Sequence, residues 1–185
     1  MQYIKGMQFY QNDKKTAITL GKFDGLHRGH ETLIERVIEH QKNDGVDSVV
    51  FAFDMAPLYE KIKKKKESLI TNEERAGRLF GRVDYLVECP FVEAVSKIEA
   101  ETFIKEILVK QFHAEYIVVG TDFHFGYQKK GDYHMLQQYS GEYGYEVEVI
   151  EKKCYEDREI SSTYIKEEVK KGNMNPVTQL LGSPY

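Results

Sequence analysis

The chain is poor in cysteine, has no surplus of positive charge and contains no long apolar run. Its two cysteines, Cys89 and Cys154, lie far apart and show no metal-type spacing. The reading that follows is a reduced, cytoplasmic protein. Lysine and arginine number 26 against 30 aspartates and glutamates, a formal net charge of -4. With no global basic field, nothing points to nucleic acid as a partner. No segment is long and apolar enough to span a membrane, so no membrane partner is expected. The opening Met1-Gln2-Tyr3-Ile4-Lys5 lacks the apolar stretch of a signal peptide. No repeat, low-complexity stretch or linker interrupts the 185 residues. That length fits one domain with a real hydrophobic core, and no oligomeric state is implied. Apolar residues at 41% and charged residues at 30% make an ordinary globular balance.

What is present is an alternation of short apolar runs and helically spaced segments. Residues 16–20, 48–53, 83–87 and 116–120 read as buried strands, and 145–150 alternates with Val147 and Val149 on one face. Residues 1–15 hold a short edge strand. Leu33, Ile34, Val37 and Ile38 form one face of a helix that Asn43-Asp44-Gly45 ends. Thr71 or Asn72 caps a second helix with Ala76, Leu79 and Phe80 inward. Phe103, Ile104, Ile107 and Leu108 mark a third over residues 100–112. A fourth opens at Lys129-Lys130-Gly131-Asp132 and runs to Tyr143, Ser161-Ser162-Thr163 caps a long one, and residues 175–181 form a short one. Met55-Ala56-Pro57-Leu58-Tyr59 reads as a loop at a strand's carboxyl end. The expected fold is α/β, a mostly parallel sheet covered by helices on both faces, with ligands at the carboxyl ends of the strands.

The densest chemistry lies in Gly21-Lys22-Phe23-Asp24-Gly25-Leu26-His27-Arg28-Gly29-His30, between the first buried strand and its helix. A helix N-terminus carries unpartnered N–H groups and the positive end of the dipole, a site for phosphate. Gly21, Gly25 and Gly29 permit a sharp turn and close approach of a ligand. His27 and His30, three apart, share one side of the helix start. Imidazole donates hydrogen bonds to phosphate, and imidazolium also neutralises developing charge. Surface or capping histidines, or a metal pair, are the other readings of the two, although no third ligand stands at zinc spacing.

This stretch resembles the G-x-F-D-G-x-H-x-G-H signature of the FMN adenylyltransferase module of bacterial FAD synthetases, in the nucleotidylyltransferase superfamily. Two further segments agree. Val119-Gly120-Thr121-Asp122-Phe123-His124-Phe125-Gly126 resembles V-G-x-D-F-x-F-G, and Ser161-Ser162-Thr163-Tyr164-Ile165-Lys166 resembles S-S-T-x-I-R. The ending Leu180-Leu181-Gly182-Ser183-Pro184-Tyr185 resembles the junction at which a riboflavin kinase module begins. The resemblance implies one Rossmann-like nucleotidylyltransferase domain over residues 1–185, with no riboflavin kinase domain.

The family reaction is ATP plus FMN giving FAD plus pyrophosphate, with Mg2+. It implies His27, His30 and Lys166 as catalytic residues. It implies Gly21, Phe23, Asp24, Gly25, Gly29, Asp122, Ser161, Ser162 and Thr163 around ATP. For Phe23 core packing, and for Asp24 holding the turn through backbone N–H groups, are equal alternatives; one of the serine–threonine trio also caps its helix. Pro57, Tyr59, Phe103 and Phe125 are candidates for an apolar slot for the flavin ring, with core packing the other reading of Tyr59 and Phe103. Lys129 and Lys130 are candidates for phosphate contact, and Lys63-Lys64-Lys65-Lys66 for steering anionic substrates or for a solvated stretch. Magnesium takes few protein ligands, and no residue is assigned to a metal. The sequence departs from the family pattern twice: Lys166 stands where arginine is usual, and Met55-Ala56-Pro57 where Pro-His-Pro is usual. Lysine keeps the charge and loses the bidentate fork.

Overall fold

A computed structural model describes residues 1–63, 65 and 67–185. Lys64 and Lys66 of the lysine run lie outside the described residues. Six parallel strands form one sheet: β1 (Gln2–Lys5), β2 (Thr16–Gly21), β3 (Asp47–Asp54), β4 (Tyr85–Pro90), β5 (Ala114–Gly120) and β8 (Glu146–Ile150). Their order is β1-β4-β3-β2-β5-β8. From β2 the chain moves to β3 and β4 on one side, then returns to place β5 on the other. The strand order therefore reverses beside β2, and a crevice opens at the carboxyl ends of β2 and β5.

The central strands are apolar on both sides because both faces are covered. Ile18, Leu20, Phe51, Ile117 and Val119 meet Phe103, Ile104, Ile107, Leu108 and Leu136 on one face. On the other, Ala17 and Val118 meet Leu33 and Val37, while Val50, Ala52 and Leu86 meet Ile34 and Leu79. The covering helices are α1 (Arg28–Asp44), α3 (Asn72–Leu79) and α6 (Tyr133–Tyr143), with α2 (Ala56–Lys61), α4 (Glu93–Ser96) and α5 (Ala100–Thr102) between strands. α7 (Ser162–Lys171) and α8 (Met174–Leu181) build a satellite core with Leu69. Two short hairpins, β6 (His124–Phe125) with β7 (Gly131–Asp132) and β9 (Cys154–Tyr155) with β10 (Arg158–Glu159), lie outside the main sheet.

Several expectations need correction. The segment 55–59 is not a loop: α2 begins at Ala56, and Pro57 sits in its first turn, where the missing N–H is harmless. Phe80 does not face inward. α3 stops at Leu79, Phe80 adopts φ -56 and ψ 126, and the residue is 74% exposed. The third helix continues from α5 as a π-helix over Phe103–Gln111, keeping the four apolar side chains buried. Residues 129–132 do not open α6; a 3₁₀ turn and β7 come first, and Asp132 caps α6 by accepting from the Met135 N–H at 3.0 Å. The remaining strands and helices lie where the sequence pattern puts them, within a few residues.

Gly126 shows how tightly the β6–β7 turn is closed against α5. It has φ +74, and a Cβ there would lie 2.7 Å from the Cα of Ala100. Backbone cannot yield as a flexible side chain does. Gly126→Ala should lower stability by about 2 kcal/mol or more, a fall in Tm of roughly 4–8 °C for a chain of this size. Gly141, in α6, has nothing within 4 Å of such a Cβ. Gly141→Ala should hold or raise Tm, by up to ~1 kcal/mol of helix preference. Parallel thermal melts check both.

Candidate active site

The turn after β2 is held in an unfavourable backbone conformation. Phe23 (φ 47) and Leu26 (φ 46) are non-glycine residues in the left-handed region, and Gly25 has φ 92. Such strain persists only where the surroundings over-determine it. Here Asp24 is the fixed point. Its Oδ1 accepts from the Leu69 N–H at 2.8 Å, its carbonyl accepts from the Ser162 hydroxyl at 2.7 Å, and its Oδ2 accepts from Lys166 Nζ at 2.5 Å. The turn-holding reading of Asp24 is thus met by backbone 45 residues away rather than by its own turn. What approaches Gly25 is Leu69, whose Cδ1 would lie 2.8 Å from a Cβ, so this glycine admits a core side chain and not a phosphate. Phe23 is fully buried in the core, which excludes its closing over a nucleotide; its ring instead lies 5.1 Å from that of His30.

His27 is the N-cap of α1, and its Nδ1 accepts from the His30 N–H at 3.4 Å. That bond puts the neutral-ring proton on Nε2, which is left as a donor. The two imidazoles stack with centroids 3.7 Å apart. Burial lowers the His27 pKa to about 4, against the opposing pull of Asp24 and Asp122. His30 is held well below the usual histidine value, first by burial, then by His27 and Arg75. Both rings are therefore neutral near pH 7 before any anion binds, and the imidazolium role expected from sequence does not exist in the free protein. The His30 Nδ1 is buried with no protein partner.

A cleft of about 170 Å³ opens beside this turn. Its lining is polar at Lys22, Asp24, Asn72, Arg75, Ser162, Thr163 and Lys166 and largely apolar at Phe53, Met55, Tyr59 and Ile70. Asp54, Glu67 and Ser68 complete the lining. The structure thus brings Asp24, Ser162, Thr163, Lys166 and Tyr59 together as the sequence suggested. Ser161 is the capping member of its trio, accepting from the Tyr164 N–H at 3.2 Å. Asp122 stands outside this lining, yet near enough for its charge to act on His27; its carboxylate pairs with Lys152 at 3.2 Å.

Other expected residues lie elsewhere. Phe103 and Phe125 are 3% and 5% exposed, part of the core and not an open slot. They pack in series on Phe53, which reaches the cleft as Tyr59 does: Phe53–Phe103 centroids are 6.5 Å apart, and Phe103–Phe125 5.6 Å. Pro57 does not line the cleft, nor do Lys129 and Lys130, which are exposed beside the 3₁₀ turn at 127–129. Lys63 is exposed and outside the lining as well.

Sequence reasoning missed Lys22, Phe53, Asn72 and Arg75 as cleft residues. One signal was available: Asn72 and Arg75 are three apart on a capped helix, so they share a face. Thr71 caps α3 in a complete capping box with Glu74. Among the described residues no group of three or more His, Cys, Asp or Glu side chains is arranged to hold a metal.

The depressed histidines make stability depend on pH with a definite sign. The unfolded chain binds both protons near pH 6.5; the folded chain binds that of His27 only near pH 4 and that of His30 well below the usual histidine value. Stability is therefore complete above pH 6.5 and falls as pH drops toward 4, by on the order of 3 kcal/mol for His27. Urea unfolding at pH 7 and pH 5 should show most of that loss, and His27→Asn, which keeps a capping side chain, should lessen it, leaving the part that His30 contributes.

The FAD synthetase family model matches residues 9–164. The bifunctional riboflavin kinase/FMN adenylyltransferase of Escherichia coli (strain K12) is 30% identical over 171 residues, 91% of this chain and 55% of that protein. That of Buchnera aphidicola subsp. Schizaphis graminum is 28% identical over 190 residues, 100% of this chain and 61% of that protein. A crystal structure described as a macrolide-efflux protein from Streptococcus pneumoniae superposes with TM-score 0.85 at 26% identity, covering 100% of this chain and 62% of that one. The chain thus spans little more than half the length of the relatives it matches. With the glycine–histidine turn, the Asp122 segment and the Ser161–Lys166 segment all at the carboxyl edge of one parallel sheet, the chain belongs to the FAD synthetase family.

Proposed function

We propose that this chain is an FMN adenylyltransferase, transferring AMP from ATP to FMN. The observation that carries the reading is the strained turn of residues 21–30 at the switch point of the sheet, which sets two neutral histidines at a helix start while its Lys22 and Asp24 line a cleft that also holds Arg75, Lys166, Phe53 and Tyr59.

A phosphate oxygen of FMN attacks the α-phosphorus of ATP. One P–O bond forms, the bond from that phosphorus to the bridging oxygen breaks, and pyrophosphate leaves. The nucleophile is already an anion near neutral pH, so no strong base is needed. The chain's work is alignment and stabilisation of charge. His27 donates from Nε2 to the triphosphate, His30 acts from its own Nε2 because its Nδ1 is buried, and the α1 N-terminus adds its N–H groups. Gly29 leaves room at that start, with its Cβ position 3.2 Å from His27 Nδ1, and Gly21 ends β2. Ser162, Thr163 and Lys166 face the phosphates from α7, and Asp122 borders the nucleotide. Tyr59 and Phe53 offer the surface for the flavin ring, with Pro57, Phe103 and Phe125 supporting them. Lys129 and Lys130 lie at the margin, and with Lys63 act on anions by long-range attraction alone.

Magnesium fits as an ion carried by phosphate oxygens and water, because both Asp24 carboxylate oxygens are already taken by Leu69 and Lys166; bound, it would withdraw charge from the triphosphate. No helix among the described residues is long and apolar enough to cross a membrane. Action in the cytoplasm on free ATP and FMN is the accompanying proposal, as is the restriction of these residues to adenylyl transfer, with riboflavin not phosphorylated.

Incubation with ATP, FMN and Mg2+ should yield FAD and pyrophosphate in equal amounts. His30→Ala should fold and lose at least about a hundredfold in kcat, on the scale of one oriented electrostatic donor. Lys166→Met should lose activity and Lys166→Arg retain it. FMN binding without FAD would identify a flavin-binding module with weak catalysis, and transfer to another phosphorylated acceptor would identify a different nucleotidylyltransferase.

A further inference from the structure

From the cleft lining at Arg75 inward runs a buried charged group to which the adenylyl-transfer reading gives no role. Arg75, on α3, is 4% exposed, and Glu88, on β4, is 5% exposed. Arg75 donates to Glu88 Oε2 at 3.1 Å, to Asn72 Oδ1 at 2.9 Å and to the Lys22 carbonyl at 3.3 Å. Glu88 is committed in turn: Oε1 accepts from Asn72 at 2.9 Å, and Oε2 also accepts from the Tyr3 hydroxyl at 2.8 Å. Burial and this bond hold the Tyr3 phenol far above its usual range, so it remains a donor. The Arg75 Nε is buried without a partner.

Stability alone gives no reason for such an arrangement. A buried ion pair is often replaceable by apolar side chains at no loss, and an unsatisfied buried donor is unfavourable by about 1–3 kcal/mol. What the guanidinium does accomplish is reach the turn. Lys22 is the residue between the end of β2 and the left-handed Phe23, so its carbonyl sets the plane from which Phe23 departs. Asp24 is held from the α7 side; Arg75 holds Lys22 from the α3 side. Between these two restraints the Phe23 ring is carried against His30. A planar fork reaching a carbonyl, an amide and a carboxylate together is a task lysine cannot perform.

We propose that Arg75, braced by Glu88, Asn72 and Tyr3, is a positioning residue: it fixes the Lys22–Phe23 backbone and thereby the orientation of the His30 ring toward substrate. This rests on the adenylyl-transfer reading only for its kinetic consequence.

The test uses the full chain. Removing Arg75 alone strands a buried carboxylate, so the decisive variant is the neutral pair Arg75→Met with Glu88→Gln, in which the amide can still bond Tyr3 and Asn72; Arg75→Lys accompanies it. Circular dichroism establishes folding. For FAD formation, the double variant should lose roughly tenfold to a hundredfold in kcat, with KM for ATP and FMN changed less than about threefold, and Arg75→Lys should not restore kcat. In the ligand-free protein, the His30 ring signals in an NMR titration should shift, with protonation moving to higher pH once the cation is gone. A folded double variant with kcat within twofold of wild type and unmoved His30 signals overturns the proposal. If the wild type makes no FAD, the adenylyl-transfer reading fails, and the His30 signals alone decide the role of Arg75.

Discussion

The site depends on how Asp24 is held. The turn that carries it has three left-handed residues in four, two of them with side chains. Local preference opposes that path, so distant segments must impose it. Leu69, Ser162 and Lys166 do so through three hydrogen bonds to one residue. These partners come from before α3 and from the start of α7, so the shape of the turn depends on the sheet and the satellite core being in place together. The placement of His27 and His30 follows from that shape.

The second determinant is desolvation. It acts on His27 and His30 more strongly than the carboxylates of Asp24 and Asp122 act on His27. The free site is therefore a set of oriented neutral donors, with charge supplied by Lys22, Arg75 and Lys166 on the cleft wall. Lys166 is partly neutralised by Asp24, so an incoming anion must share that cation with a carboxylate already 2.5 Å away. Neutral donors bind a phosphate without repelling one another, which a stacked imidazolium pair could not do.

Much of the fold was legible because its central strands are short apolar runs and its helices carry apolar residues at helical spacing. The errors have separate causes. Pro57 reads as a breaker, yet the first turn of a helix accepts proline. Phe80 continues the apolar face of α3 by spacing, but the helix has ended and the residue is exposed. The π-helix over Phe103–Gln111 leaves no mark in the spacing of four apolar residues. Phe103 and Phe125 carry the right chemistry for a flavin slot, but they are core residues, and of this packed series Phe53 lines the cleft. A list of aromatic residues does not say which of several packed rings is outermost.

By itself the sequence determined the alternation of strands and helices, the glycine and histidine spacing of residues 21–30, and the family those motifs mark. These are local properties: periodicity, turn chemistry and the order of short segments are written in neighbouring residues. Only the tertiary structure decided that Asp24 is an anchor, that Phe23 supports His30, that Arg75 and Glu88 form a buried brace, and that both histidines are neutral. Each of these depends on burial or on partners far apart in the chain. Desolvation is set by what packs around a group, and no stretch of sequence contains its own surroundings.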